Sequence, residues 1–370
     1  LYHVLLTLRI AAALINMEKP QLVIHIEKNF NYNMFDVKWV PSSARLVVMG
    51  CSAQGKGKLE ILEMSSDEVN IINSTEYESS LKCGTFRASG ALSRQLAFGD
   101  FGGNLKIVDL TKPEKPIYSV SAHKNIVNAV DGVGGLNVGE GAAELVTGGS
   151  DSIVNVWDPR LPDEPVVNIL PQDGTHRPDC WTVAAGNAFT SQDRCIAAGF
   201  DNGDIKLFDL RNSQVLWETN VRNGVCSLEF DRRDIEMNKL VATTLGAYIH
   251  VFDLRTFDDH KRLVSVHTTA HNSTVWCVKH LPQDRDIWIT TGGNGSLNLW
   301  RYRYPAQRIK KTANGGLKGM PGTLECLQSQ VSSTQPITSF DWSSDKKGLG
   351  AFTSIDQTLR IIVVTKLQTL

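Results

Sequence analysis

Leu59-Glu60-Ile61-Leu62-Glu63, Leu105-Lys106-Ile107-Val108-Asp109 and Val154-Asn155-Val156-Trp157-Asp158 are copies of one pattern. Each is a short apolar strand that ends in a large residue followed by an acid. Ile205-Lys206-Leu207-Phe208-Asp209 and Ile249-His250-Val251-Phe252-Asp253 continue the series. Leu297-Asn298-Leu299-Trp300-Arg301 and Leu359-Arg360-Ile361-Ile362-Val363 keep the strand and lose the acid. Successive copies lie roughly 44–51 residues apart, except the last pair at about 62, near the period of β-propeller blades. A fixed period of this kind shifts the expected function from chemistry to binding.

Working outward, each repeat carries strand signals separated by turn chemistry, and helical periodicity is almost absent. In one repeat, strands are expected over 126–130, 144–147, 153–157 and 166–170. Gly148-Gly149-Ser150-Asp151 is a tight turn, and Pro159 and Pro162 break the pairing. The next repeat reads as strands over 181–185, 195–198, 205–208 and 215–218. The last repeat has only three strand signals before the chain ends, while an orphan strand, 22–26, precedes the first. Pairing the two closes the circle and removes two exposed edges. The expected fold is all-β, a seven-bladed propeller whose N-terminal strand completes the last blade. The blades fall at about 30–78, 79–122, 123–172, 173–221, 222–270, 271–333 and 334–370, the last joined by 21–27.

Of the 370 residues, 42% are hydrophobic and 21% charged, enough to bury a large core. A net charge of −1 gives no global footprint for nucleic acid. Arg301 to Lys311 is the best local basic patch. Seven single cysteines without a Cys-x-x-Cys pair argue against zinc and fit reduced thiols. The apolar run inside residues 1–16 is too short to span a bilayer. Met17 looks like a natural start, so 1–16 reads as a non-native or disordered extension. No membrane partner, metal or cofactor is expected, and the chain is read as a monomer. The Tyr304–Leu324 interruption, with Pro305, Gly315-Gly316 and Pro321-Gly322, is the length of a functional or disordered loop.

Two sets of residues imitate chemistry. His123, Thr147, Asp151 and Trp157 look like a hydrolase constellation, but His271, Thr290, Asn294 and Trp300 recur at matching spacing. A catalytic triad has no reason to recur, so both sets read as structural tetrads and no catalytic residue is assigned. Gly50 to Gly57 nearly spells a phosphate-binding loop. Gly57 lacks the hydroxyl that reaches magnesium, and a strand follows where a helix is needed. The glycines from Gly132 to Gly141 also precede a strand, and read as a surface loop.

Arg160, Arg211 and Arg255 each stand two residues after a repeat's acid, which places three arginines on one rim. They either pair with those acids or form a docking edge. On the opposite rim Phe30, Tyr32, Phe101, Trp181, Phe200 and Trp276 are the candidate partner contacts.

The Trp-Asp-like endings resemble WD-repeat propellers, in which the His–Thr–Asp–Trp set ties a blade together. Longer runs are more specific: 99–105, 179–184, 203–212, 223–232 and 356–367 resemble the Monad family of WD-repeat propellers. That likeness covers essentially 17–370. It implies a cytoplasmic co-chaperone adaptor associated with the prefoldin-like and RuvB-like ATPase assembly. Its expected role is the preassembly of axonemal dynein and other complexes. The rival expectation is a substrate receptor of a cullin-type ubiquitin ligase, docking through the Asp-x-Arg motifs. A hydrolase using the His123 set is the third.

Overall fold

The computed structural model describes residues 19–90, 93–134, 144–161, 164–170, 177–190, 192–257, 262–312 and 316–368. The apolar segment 1–16 lies outside the described residues, as does most of the 132–141 glycine cluster.

Seven four-stranded antiparallel sheets follow one another. Blade one is Asn33–Trp39, Arg45–Cys51, Gly57–Met64 and Val69–Tyr77. Blade two is Leu81–Thr85, Gln95–Asp100, Asn104–Asp109 and Pro116–Ser121. Blade three is Val127–Gly132, Leu145–Gly149, Val154–Trp157 and Val167–Ile169. Blade four is Cys180–Gly186, Cys195–Phe200, Asp204–Asp209 and Gln214–Asn220. Blade five is Val225–Phe230, Lys239–Thr244, Tyr248–Phe257 and Leu263–Thr269. Blade six is Val275–Leu281, Asp284–Gly292, Ser296–Arg303 and Thr323–Val331. Blade seven is Ile337–Trp342, Leu349–Ser354 and Thr358–Val364, and Leu22–Asn29 supplies its fourth strand. The seven first strands pack side by side around the axis, with Asn33–Trp39 against Ile337–Trp342. The ring is closed.

Burial explains the sequence pattern. Second strands lie between neighbouring blades and read as apolar runs; Cys195–Phe200 and Leu349–Ser354 are buried throughout. Fourth strands face solvent on one side, and Gln214–Asn220 alternates accordingly. Each core lies between two sheets. Ile289 and Leu299 of blade six meet Ile337, Phe352 and Leu22 of blade seven in one cluster. Ile26 and Leu359 join Met34 and Val48 of blade one in the next, so the N-terminal strand contributes to the core on both sides of the closure.

The turns between second and third strands tie blade to blade. Gly103 has φ +84, and its carbonyl accepts from His123 N at 3.0 Å; a Cβ there would sit 2.2 Å from His123 O. Gly295 does the same for Ser332 at 2.8 Å. Only glycine combines that backbone with that approach. The Gly50–Gly57 segment is such a turn too, closed by Ser52 N donating to Lys56 O at 2.9 Å.

Candidate interaction surface

In blade three, His123 Nε2 lies 2.8 Å from Thr147 Oγ1 and Nδ1 lies 2.9 Å from Asp151 Oδ1. Trp157 Nε1 donates to the same threonine hydroxyl at 2.9 Å. Burial opposes ionisation of Asp151. Hydrogen bonds from His123, Lys124 N and Ile153 N outweigh it and hold the carboxyl below its usual range. Blade six repeats the core of this set: Thr290 Oγ1 bonds His271 Nε2 at 2.8 Å and Trp300 Nε1 at 2.9 Å. Asn294 does not occupy its expected place. Ser296 Oγ lies 2.7 Å from His271 Nδ1 and donates on to Asn294 Oδ1 at 2.7 Å. Blade three has Ile153 at that turn position, so no hydroxyl intervenes and its acid meets the histidine directly. Burial lowers the His271 pKa to about 4, which keeps the ring neutral.

A second constellation surrounds the axis, where the edges of the seven first strands would otherwise leave N–H groups unpaired. Side chains of the preceding blade satisfy them. Asp36 accepts from Gly84 N at 2.8 Å, Asp131 from Ala185 N at 2.9 Å, Thr182 from Leu228 N at 3.1 Å and Asp341 from Trp39 N at 2.8 Å. The carboxylates are paired in turn: Arg87 reaches Asp131 at 2.7 Å, and His280 and Lys279 reach Glu229 at 3.0 and 3.5 Å. Burial opposes the Glu229 charge, but Lys279 and His280 hold its pKa at about 2. Burial dominates at Asp341 and raises its pKa.

Every first strand also carries a β-bulge at the same place. The register skips Phe35, Lys82, Asn128, Trp181, Cys226, Trp276 and Thr338, one per blade. All seven line the central cavity of about 630 Å³. A bulge re-aims one side chain out of the ladder, so each blade contributes one residue to the same mouth. The ring has two sectors. Lys82 sits 5.4 Å over the Phe35 ring, which packs on Phe101 at 5.4 Å. Across the mouth, Trp181, Cys226 and Trp276 follow one another, and Trp276 is 39% exposed.

Of the six aromatic candidates, Trp181 and Trp276 stand on this ring, and Phe101 supports it. Phe30 is half-buried, edge-on to Tyr32 at 5.5 Å. Tyr32 and Phe200 must be withdrawn as partner contacts. Tyr32 is 2% exposed and spends its hydroxyl on Glu60 at 3.2 Å, and Phe200 is 7% exposed in the core between blades three and four. Phe35 and Lys82 escaped the reading, although each directly follows the first buried apolar residue of its strand, as do Trp181 and Trp276.

On the opposite rim, Arg160 pairs with Asp158 at 2.6 Å, and Arg211 bridges Asp209 at 3.2 Å and Asp193 at 3.3 Å. Arg255 differs: its guanidinium donates to Asn238 at 3.1 Å and approaches Glu236 at 3.9 Å. Asp253 is met instead at 3.7 Å by Arg308 from the blade-six insertion. Among the described residues no cluster of three His, Cys, Asp or Glu could hold a metal ion, and no helix is long and apolar enough to cross a membrane.

A family model described as "WD domain, G-beta repeat" matches residues 114–158 and 261–301. The human protein named dynein axonemal assembly factor 10 is 55% identical over 350 residues, covering 95% of this chain and 98% of its own length. The Xenopus laevis protein of the same name is 54% identical, covering 96% and 99%. The Chlamydomonas reinhardtii protein of that name is 45% identical, covering 94% and 98%. Similarity of this degree over nearly full length means that the chain belongs to the dynein axonemal assembly factor 10 family, the Monad-type WD-repeat propellers.

Proposed function

We propose that this chain is a non-catalytic scaffold that holds protein partners at the channel mouth during cytoplasmic assembly of axonemal dynein. The observation that carries the reading is the ring of seven bulged positions. A repeated backbone device aims one side chain per blade at a single opening, two of them tryptophans, the residue type favoured at binding hot spots. The tetrads support it from the other side, since the Thr147 hydroxyl is fully buried and engaged by two neighbours. The names of the relatives supply the assembly role, and seven free thiols fit a reducing compartment. The partners we propose are axonemal dynein chains and the RuvB-like and prefoldin-like co-chaperone assembly.

Affinity purification of the tagged chain from ciliated cells, read by mass spectrometry, tests this. Dynein chains and RuvB-like ATPases should co-purify and be lost from a Trp181→Ala/Trp276→Ala variant that melts normally. Recovery of a cullin scaffold instead, abolished by Arg211→Glu/Arg255→Glu, would replace this reading with the ligase-receptor one.

A further inference from the structure

The connection between the third and fourth strands of blade six contains its own two-stranded sheet, Ile309–Lys311 with Leu317–Gly319. It emerges on the rim opposite the bulged mouth, so it lies outside the surface proposed above. Its base is fixed. Arg308 stacks 4.6 Å over the Tyr304 ring and meets Asp253 at 3.7 Å. Tyr304 in turn accepts from buried Lys239 at 2.6 Å. Gly319 lies flush on blade five, where a Cβ would come within 2.3 Å of Val264 Cγ2 and 2.6 Å of Phe257 O. Above this base the hairpin is bare. Ile309, Lys310, Lys311, Leu317 and Lys318 are all exposed, Ile309 by 51% and Leu317 by 60%.

The register sorts these side chains. Ile309 pairs with Gly319 and Lys311 with Leu317, so these four share one face. Lys310 stands directly opposite Lys318 on the other. Like charges directly opposite in a ladder repel. Two other cations of the basic run are absorbed within the chain, Arg303 by Glu325 at 2.7 Å and Arg308 by Asp253 at 3.7 Å. Lys310, Lys311 and Lys318 have no acidic partner among the described residues. Each strand of a two-stranded sheet also keeps one unpaired edge of N–H and C=O groups.

We propose that this hairpin is a docking strand pair for an extended acidic segment of a partner protein, which adds to its open edge. The occupant alternates with the period of a strand. Its carboxylates lie beside the Lys310–Lys318 row, and its apolar residues lie beside Ile309 and Leu317 on the other face. Main-chain pairing supplies the strand, and relief of the lysine repulsion supplies the preference for acid. Three free lysines interleaved with large apolar residues suit such a segment better than a phosphate backbone, which needs a longer row of cations.

The test is fluorescence anisotropy of the full chain with a labelled octapeptide of alternating Glu and Val. A Gln/Val octapeptide and oligothymidylate of matched length serve as comparators. The Glu/Val peptide should bind, weaken as salt rises, and lose at least tenfold in affinity with Lys310→Glu/Lys318→Glu at unchanged melting temperature. Lys310→Gln/Lys318→Gln should lose less and serves if the reversed pair misfolds. Hydrogen exchange should slow at 309–311 and 317–319 when peptide is bound. Equal binding by the variants, equal binding of the Gln/Val peptide, tighter binding of oligothymidylate, or no peptide binding would overturn the proposal. None of these outcomes bears on the tryptophan mouth.

Discussion

Blades three and six hold their second and third strands together with a hydrogen-bonded Thr–Trp pair, while the other five fill the same space with hydrocarbon. Thr147 with Trp157 and Thr290 with Trp300 are the polar pairs. Thr147 stands opposite Asn155, two residues before Trp157. The residues in the same diagonal relation in the other blades are Val48 and Leu62, Phe98 and Val108, Ala198 and Phe208, Ala242 and Phe252, and Phe352 and Ile362. Each apolar pair lies within one core cluster. Size trades across the pair: alanine on the second strand accompanies phenylalanine on the third, and phenylalanine on the second accompanies a β-branched residue. The blade requires a volume, and the tetrad is one way to supply it. The WD-repeat model matches two segments that end at Trp157-Asp158 and at Trp300-Arg301, in the blades that keep the tetrad.

The severest way to break this comparison is to attack an apolar blade, one that lacks the Thr–Trp pair. Blade seven depends on Leu22–Asn29 for its fourth strand and for core residues on both faces. Deleting that strand should leave a long bare edge at Thr358–Val364 and send the protein into aggregates on gel filtration. A monomer with unchanged melting would refute the closure.

Next in size, Trp157→Ala and Phe208→Ala should each cost about 3–5 kcal/mol in chemical denaturation, because both empty a core position. Similar losses support a shared volume requirement; a much larger loss for the tryptophan would assign the stability to its hydrogen bond.

Blade six carries a pH liability at His271, and apolar blade five carries one at His250, where burial first and His267 second lower the pKa to about 4. The folded pKa of His271, about 4, lies below its ordinary 6.5, so the unfolded chain takes up a proton first as pH falls. Its contribution is complete above the unfolded value and is lost as pH falls from about 6.5 towards 4, by roughly 3 kcal/mol at most. His271→Asn should flatten the fall in melting temperature over that window. The axial carboxylate Glu229, held near 2, contributes only to losses at lower pH.

Smaller still is Asp151→Ser, which puts a short hydroxyl in place of the carboxylate that meets His123. About 1–2 kcal/mol should be lost, because the carboxylate also holds Lys124 N and Ile153 N. At the end of the scale, Trp276→Ala should change stability by no more than about 0.5 kcal/mol, since the ring is partly exposed, while removing partners from the mouth.

What the sequence made legible follows from the same physics. The alternating third strands and their period carried the fold, and the orphan strand before blade one carried the closure. The His–Thr–Trp cores were legible because chemistry so specific rarely repeats by chance. Tyr32 and Phe200 misled because aromatic content in a loop does not reveal burial between blades. Ser296 was missed because one hydroxyl in a Gly-Asn-Gly-Ser turn leaves no periodic trace. The insertion read as a loop because three-residue strands are too short to alternate, and its pairing emerges only beside the Tyr304–Lys239 anchor.

Native-state hydrogen exchange tests the central claim most directly, that a strand from the chain's beginning locks its end into a closed ring. Amides of Leu22–Asn29 should exchange only through global unfolding, with the same opening free energy as Leu349–Ser354 in the middle of that blade. Exchange of Leu22–Asn29 orders of magnitude faster, as a fraying terminus would show, would contradict it.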